Sequence, residues 1–228
     1  MSERPNIYKL IPKKYLKDDY YNPNKHMPKH PARIVFVGSS GSGKTSSLLW
    51  MIDESKNFHK IYLYAKKLNE PLYEWLIDEW NIKSQKLGQN LIEYSNSVED
   101  IVNVDSIDDT IQNLIILDDL IAERDLSKVS ELFIRSRKQN CTLCFITQRY
   151  HAVPSDVRIN SNYFIFMPGI RGRDLINIST DQAGSLDSET FKEMYRKATK
   201  DGESFLLIDN VTNDPKLMFR RNFKDSLH

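Results

Sequence analysis

The chain has 228 residues, which is enough for one large domain with a sizeable core. Its 32 Lys and Arg residues are balanced by 31 Asp and Glu residues, for a net charge of +1, so any contact with DNA must come from local basic patches. No apolar stretch approaches the roughly 18 to 20 residues of a membrane span, and no apolar segment follows the basic residues at the amino terminus, so we expect neither a membrane segment nor secretion.

Residues 1–31 have the composition of an extended basic arm rather than of a domain. The segment contains five prolines, several tyrosines and an excess of Lys and Arg. It is either a solvated tail or a segment that packs on a neighbouring subunit, and the tyrosines favour the second interpretation. We expect residues 32–228 to form one domain.

A phosphate-binding P-loop follows the first predicted strand. The apolar run 33–37 is typical of a buried strand, residues 38–45 match G-x-x-x-x-G-K-[ST] at every fixed position, and a helical segment 46–52 follows. The glycines let successive N–H groups point at phosphate oxygens, and the helix aims its positive end at the same oxygens. A plain glycine–serine turn is the alternative, but both flanks have the element type that the motif needs.

The P-loop predicts ATP and Mg²⁺ as ligands of an ATPase domain. Lys44 would reach the β- and γ-phosphates, and the Thr45 hydroxyl would ligate Mg²⁺. The residues predicted to bind the nucleotide are Gly38, Ser39, Ser40, Gly41, Ser42, Gly43, Lys44, Thr45 and Ser46.

A second strand is predicted at 60–65 and a helix after it. Asn69 is a good N-cap and Pro71 suits the first turn. The residues predicted to share the apolar face of this helix are Leu72, Trp75, Leu76 and Trp80. A short strand at 91–94 and a helical segment near 97–103 follow.

An acidic pair ends the next strand. The uninterrupted apolar run 114–117 predicts a strand buried on both faces, and Asp118 and Asp119 come directly after it. We assign Asp118 to the Mg²⁺ and Asp119 to polarising the attacking water, a position more often held by Glu. The alternative is an acidic pair that caps the following helix.

A glutamine ends another strand, after an amphipathic helix with apolar residues at 126, 129, 132 and 133. Gln148 follows Thr147 at the end of the strand 142–146, where it could sense the γ-phosphate or orient water. The P-loop and the Asp pair are far apart along the chain. This separation predicts that an additional strand lies in the sheet between the strand before the P-loop and the strand before Asp118, as in P-loop proteins whose ATP hydrolysis drives motion. Cys141 and Cys144 have no second Cys or His pair nearby at zinc spacing, so we interpret them as buried strand thiols.

The remaining elements complete an α/β pattern. A strand at 163–167, a helix with apolar residues at 191, 194, 195 and 198, and a hairpin of strands 205–208 and 216–219 are expected. The alternation predicts a mainly parallel sheet with helices on both faces. The glycine-flanked Arg171 and Arg173 are candidates for a DNA-contacting pore loop, with an ordinary surface loop as the alternative.

Several short segments within residues 30–167 form a combination that is much more specific than the P-loop alone. They are His30-Pro31-Ala32-Arg33, Leu117-Asp118-Asp119-Leu120, Ser136-Arg137-Lys138-Gln139-Asn140, Thr147-Gln148-Arg149-Tyr150, Pro154 and Val157-Arg158-Ile159-Asn160. The Asp pair together with the Arg-Lys-x-Asn and Thr-Gln-x-Tyr segments is the most specific part. These segments resemble the genome-packaging ATPases of large double-stranded DNA viruses, the poxvirus-type branch of the FtsK–HerA superfamily, which is also found in virophages and virus-like transposons.

The resemblance implies an ATP-driven motor that translocates double-stranded DNA into a viral capsid. It implies a closed ring of identical subunits, a hexamer or a pentamer. Portal or vertex proteins of the capsid are the implied partners. The implied location is the viral assembly site in the host cytoplasm, with association with the virion as the alternative. Arg137 and Arg158 each match a family arginine that could act in trans on a neighbour's nucleotide, and which one does so stays open. The predicted catalytic residues are Lys44, Asp119, Gln148, Arg137 and Arg158.

Two other functions are compatible with a P-loop. One is a kinase for a nucleoside or another small molecule, in which a second pocket binds the acceptor. The other is a nucleotide-dependent assembly switch that hydrolyses ATP slowly and moves nothing. DNA-stimulated turnover would favour the motor over both.

Overall fold

The computed structural model describes residues 23–120 and 125–227, and a nine-stranded sheet runs through this part of the chain. The strands are β1 (Arg33–Val37), β2 (Lys60–Ala65), β3 (Ile92–Ser95), β4 (Asn113–Asp118), β5 (Cys141–Thr147), β6 (Tyr163–Phe166), β7 (Leu206–Asp209), β8 (Phe219–Arg221) and β9 (Asp225–Ser226). The α-helices are α1 (Lys44–Ser55), α2 (Pro71–Leu87), α3 (Ser127–Arg135), α4 (Ser155–Asn160), α5 (Gly172–Gln182) and α6 (Ser188–Ala198).

The strand order is β3-β2-β4-β5-β1-β6-β7-β8-β9. Pairs from β3 to β6 are parallel, and pairs from β6 to β9 are antiparallel. Strand β5 lies between β1, which leads into the P-loop, and β4, which ends at Asp118, so the predicted additional strand is confirmed. The predicted α/β fold is confirmed as well. Because parallel strands bring their carboxyl ends to one edge, the P-loop, the acidic pair and Gln148 meet at that edge.

Helices cover both faces of the sheet because its central strands are apolar on both sides. In β1, Ile34 and Phe36 belong to the core that α1 and α2 cover. Val35 and Val37 belong to the core on the other face, which α3, α4, α5 and α6 cover. This alternation is the period-two pattern of a strand buried between two layers.

Helix α2 begins at Pro71 as predicted, but Glu70 rather than Asn69 is its N-cap residue. The predicted apolar face is also partly wrong, since Leu72 is 38% and Trp75 is 53% exposed. The buried residues are Tyr73, Leu76, Ile77 and Trp80. Their spacing of i, i+3, i+4 and i+7 is the regular stripe of an amphipathic helix, so the inward face is turned relative to the prediction.

Other local predictions need correction. Half of the strand predicted at 216–219 belongs instead to a 3₁₀ turn, Pro215–Leu217, because the Asp214 side chain caps this turn by accepting from the Lys216 N–H at 2.9 Å. The strand itself begins at Phe219. The helical segment predicted near 97–103 is reduced to a 3₁₀ turn at Val98–Asp100. Helices α4 and α5 were not predicted from the sequence.

The last residues of the predicted arm pack against the domain. Met27 is 2% exposed, and the Lys29 N–H donates to the Tyr163 hydroxyl at 3.1 Å. Met27 and Lys29, which the prediction places in the arm, therefore contact the domain in the structure. The rest of the predicted arm, residues 1–22, lies outside the described residues.

Candidate nucleotide-binding and hydrolysis site

The P-loop has the backbone shape that its glycines allow. Gly41 and Gly43 have φ angles of 76° and 92°, in the left-handed region that other residues rarely adopt. At Gly38, a Cβ atom would lie 2.5 Å from the Cβ of Met167, just after β6, so only glycine fits there. The loop then enters α1 at Lys44, where the free N–H groups of the helix start suit an anion.

A cavity of about 290 Å³ lies between the P-loop and the carboxyl ends of β4 and β5. Its lining residues are Ser40, Gly41, Gly43, Lys44, Thr45, Ser46, Glu70, Leu72, Asp118, Asp119, Thr147 and Gln148. The fold therefore brings the P-loop, the acidic pair and Gln148 to one place. The predicted nucleotide-binding residues Gly38, Ser39 and Ser42 shape the loop without lining the cavity.

Lys44 is held over the loop by backbone carbonyls. Its ammonium donates to the oxygens of Gly38 and Ser39, each at 2.8 Å. Burial lowers the pKa of Lys44, whereas the nearby carboxylates of Asp118 and Asp119 act in the opposite direction. A cation fixed beside a phosphate loop is suited to bind the β- and γ-phosphates.

Asp118 and Thr45 form a donor set that fits Mg²⁺, which prefers carboxylate, hydroxyl and water oxygens. Both residues line the cavity. The Tyr73 hydroxyl donates to Oδ2 of Asp118 at 2.6 Å and also interacts with the Thr45 hydroxyl. Burial raises the pKa of Asp118 to about 6, and the Tyr73 hydrogen bond and the Lys44 charge oppose that rise. A cation at this carboxylate would offset the cost of its buried charge.

Asp119 and Gln148 lie at the adjacent ends of β4 and β5. The Gln148 amide nitrogen, Nε2, is 3.5 Å from Oδ2 of Asp119, which is a long contact. Asp119 has a φ of 54°, so the chain bends sharply after β4, and the residue lines the cavity. The pair is therefore suited to hold a water molecule beside the terminal phosphate.

Glu70 is a cavity residue that the sequence reasoning missed. It lies at the N-cap of α2, lines the cavity, and influences the pKa values of both Lys44 and Asp118 electrostatically. The sequence feature that could have indicated Glu70 is its position shortly after β2, because β2 pairs with β4 in the sheet and ends beside Asp118. That pairing joins segments far apart in the chain, so local pattern does not reveal it.

The two candidate trans-acting arginines lie away from this cavity. Arg137 precedes β5, and Arg158 lies in α4 before β6, so both are near the amino ends of strands, opposite the nucleotide edge. Arg137 lines a separate cavity together with Lys29 and Arg33. Arg158 donates to Asp181 at 3.2 Å, and its guanidinium lies 5.5 Å from the centroid of the Tyr150 ring.

The proposed DNA loop is partly helical. Arg171 is the N-cap residue of α5, and Arg173 lies in the first turn of this helix. The predicted loop across 169–173 is therefore wrong for residues 172 and 173, which are helical. Both arginines are exposed.

The cysteine prediction is confirmed. Cys141 and Cys144 are buried in β5, and burial raises the pKa of both thiols. Within residues 23–120 and 125–227, no cluster of three or more His, Cys, Asp or Glu side chains could hold a metal ion.

The fold and the site together define a P-loop ATPase with an additional strand between the P-loop strand and the strand of the acidic pair. The family model described as Poxvirus A32 protein matches residues 21–212, and the chain belongs to this family. The resemblance found in the sequence is thereby confirmed, and the chain is a nucleotide-binding ATPase.

Solved structures share the fold at low sequence identity. The B204 DNA-packaging ATPase of Sulfolobus Turreted Icosahedral Virus has a TM-score of 0.56 and 15% identity, covering 86% of this chain and 98% of that chain. The genome packaging NTPase B204 of Sulfolobus turreted icosahedral virus 2, in complex with ATP-gammaS, has a TM-score of 0.53 and 13% identity, covering 86% and 97%. No curated protein matches the chain in sequence. Among the described helices, none is both long and apolar enough to span a membrane.

Proposed function

We propose that the chain is an ATP-driven motor that translocates double-stranded DNA into a viral capsid. The observation that carries the proposal is the convergence of Lys44, Asp118, Asp119 and Gln148 on one cavity at the carboxyl edge of a sheet with an additional strand. Membership of the poxvirus A32 family supports it, as does the fold shared with a viral DNA-packaging ATPase.

The side chains divide the work of hydrolysis. Lys44 binds the β- and γ-phosphates, and Thr45 and Asp118 hold Mg²⁺, which when bound neutralises phosphate charge. Asp119 accepts a proton from the attacking water, and Gln148 orients that water. ATP and Mg²⁺ are thus the proposed substrate and cofactor.

The motor works as a closed ring in which one subunit completes the next subunit's site. Arg137 is exposed and makes no hydrogen bond or salt bridge with the residues described, whereas Arg158 is held by Asp181. Because Arg137 lies at the edge opposite its own cavity, it can serve only a neighbour's nucleotide. Head-to-tail contacts that close into a ring, a hexamer or a pentamer, bring these two edges together. We therefore favour Arg137 over Arg158 as the arginine that acts in trans.

Basic side chains of the motor bind the phosphates of the DNA. A capsid protein binds the motor. With a net charge of only +1, the grip requires a few exposed basic residues, and Arg171 and Arg173 are our candidates. The partner at the capsid is a portal or vertex protein. The site of action is the host cytoplasm where virions assemble, with virion association as a further stage.

The test is ATP turnover with and without double-stranded DNA across a salt series. We expect DNA to stimulate turnover, and Arg171→Ala with Arg173→Ala to lower that stimulation while basal turnover is kept. The double variant should also reduce the salt dependence of DNA binding, by about one counterion per lost phosphate contact. Arg196→Ala with Lys197→Ala, a pair exposed on α6, is the matched control.

The alternatives predict different results. DNA-independent slow turnover would favour an assembly switch, and phosphate transfer to an added nucleoside would favour a kinase. If DNA stimulated the Arg171 and Arg173 double variant as strongly as the wild-type protein, other residues would have to contact the DNA. The basic arm 1–31 is the next candidate.

A further inference from the structure

Tyr73 is a fully buried tyrosine whose hydroxyl reaches the nucleotide site. Its side chain is 0% exposed and belongs to the core that α1 and α2 cover. The hydroxyl donates to Oδ2 of Asp118 at 2.6 Å and also interacts with the Thr45 hydroxyl. One side chain of α2 therefore joins the two proposed metal ligands, which come from β4 and α1.

The hydrogen bond constrains the carboxylate of Asp118. The terminal torsion of an aspartate is broad, so a partner on one oxygen selects the orientation of both. At 2.6 Å, the contact has the length of a charge-assisted O–H···O⁻ bond. A phenylalanine would fill nearly the same core volume, so packing alone does not account for a hydroxyl at this depth.

We propose that Tyr73 is a positioning residue that orients the Asp118 carboxylate toward the metal and so ties helix α2 to the metal site. The proposal rests on the proposed function, because it requires a metal ion at Thr45 and Asp118. Hydrogen-bonding partners of metal ligands typically change metal affinity by about 10- to 100-fold. Tyr73 acts through Asp118 and does not itself contact the nucleotide or the reacting water.

Tyr73→Phe tests the proposal, with Tyr64→Phe as the matched control. Tyr64 is 2% exposed, and its hydroxyl accepts from the Val102 N–H at 2.9 Å on the other side of the sheet. Each variant thus removes a hydroxyl that makes a hydrogen bond in the core. A fluorescent ATP analogue is titrated in EDTA and then at increasing Mg²⁺, below the unfolding temperatures of all variants.

We expect Tyr73→Phe to raise the half-saturating Mg²⁺ concentration by about 10- to 100-fold and to leave affinity in EDTA unchanged. Tyr64→Phe should change neither quantity. In an Asp118→Asn background, adding Tyr73→Phe should have less than about a two-fold further effect, because the two groups act as a unit.

Three results would overturn the role of Tyr73. They are a wild-type Mg²⁺ response in Tyr73→Phe, an equal weakening of binding in EDTA and in Mg²⁺, and a full additional effect in the Asp118→Asn background. A different result would show that the metal site itself is wrong. If nucleotide binding by the wild-type protein did not depend on Mg²⁺, both the proposed metal site and the role of Tyr73 would be overturned.

Discussion

Replacing Asp119 by asparagine should separate the chemical step from nucleotide binding. Asp119 has a φ of 54°, and Asn tolerates this left-handed backbone about as well as Asp does, so the charge is removed without straining the chain. The amide keeps the size of the side chain beside Gln148, whose Nε2 is 3.5 Å from Oδ2 of Asp119. What is lost is the capacity to accept a proton from water, which is typically worth about 10²- to 10⁴-fold in rate.

We expect turnover in Asp119→Asn to fall by that factor, equivalent to about 3 to 5 kcal/mol of transition-state stabilisation. Affinity for ATP with Mg²⁺ should change less than about two-fold, because the phosphate and metal contacts are kept. The measurements are phosphate release for the rate and titration of a fluorescent ATP analogue for affinity.

Asp118→Asn is the contrasting variant in the same two assays. Loss of this carboxylate should weaken Mg²⁺-dependent nucleotide binding, since Asp118 is the proposed metal ligand. If Asp119→Asn lost Mg²⁺-dependent binding and Asp118→Asn kept it, the two roles would be assigned backwards. Wild-type turnover in Asp119→Asn would show that Asp119 does not accept the proton of the attacking water.

Lys44, Arg137 and His30 each give a further prediction. Lys44→Ala should abolish measurable turnover while the unfolding temperature stays near wild type; activity surviving removal of contaminating ATPases would contradict the assignment of Lys44. Mixing Arg137→Ala with Lys44→Ala subunits should restore part of the turnover, because each supplies what the other lacks; rescue with Arg158→Ala subunits and none with Arg137→Ala subunits would make Arg158 the arginine that acts in trans. Burial lowers the pKa of His30 from 6.5 to about 4, so the unfolded state binds more protons in that window and stability should fall as the pH drops through it. From pH 7 to pH 5 the loss attributable to His30 should be about 2 kcal/mol in urea unfolding, and an equally large loss in His30→Gln would contradict it.

The P-loop and the acidic pair could be predicted from sequence because their chemistry is local. Gly41 and Gly43 are required by positive φ angles within a short loop, and an apolar run before Asp118 and Asp119 marks a buried strand wherever it lies in the sheet. An additional strand between the strands of the two motifs could also be predicted, but only the structure shows that this strand is β5.

The contributions of Glu70 and Tyr73 could not be predicted in the same way. They enter the site because β2 pairs with β4, which sets the start of α2 beside the P-loop. Which face of α2 is buried could not be predicted either. Leu72, Trp75 and Tyr73 are all apolar or aromatic residues that could face the core, and only the packing of the helix against the sheet shows that Tyr73 is the buried one. For Arg137, the sequence offered a match but no reason to prefer it over Arg158, and the ion pair of Arg158 with Asp181 supplied that reason.

If ATP hydrolysis moves double-stranded DNA through the protein, a triplex-forming strand on the duplex should be displaced. We predict that the wild-type protein strips the third strand in an ATP-dependent manner, with a delay that grows with the length of duplex ahead of the triplex. Lys44→Ala should strip none. Robust ATP hydrolysis by the wild-type protein with no displacement, or displacement that proceeds equally without ATP, would show that hydrolysis does not drive movement along DNA.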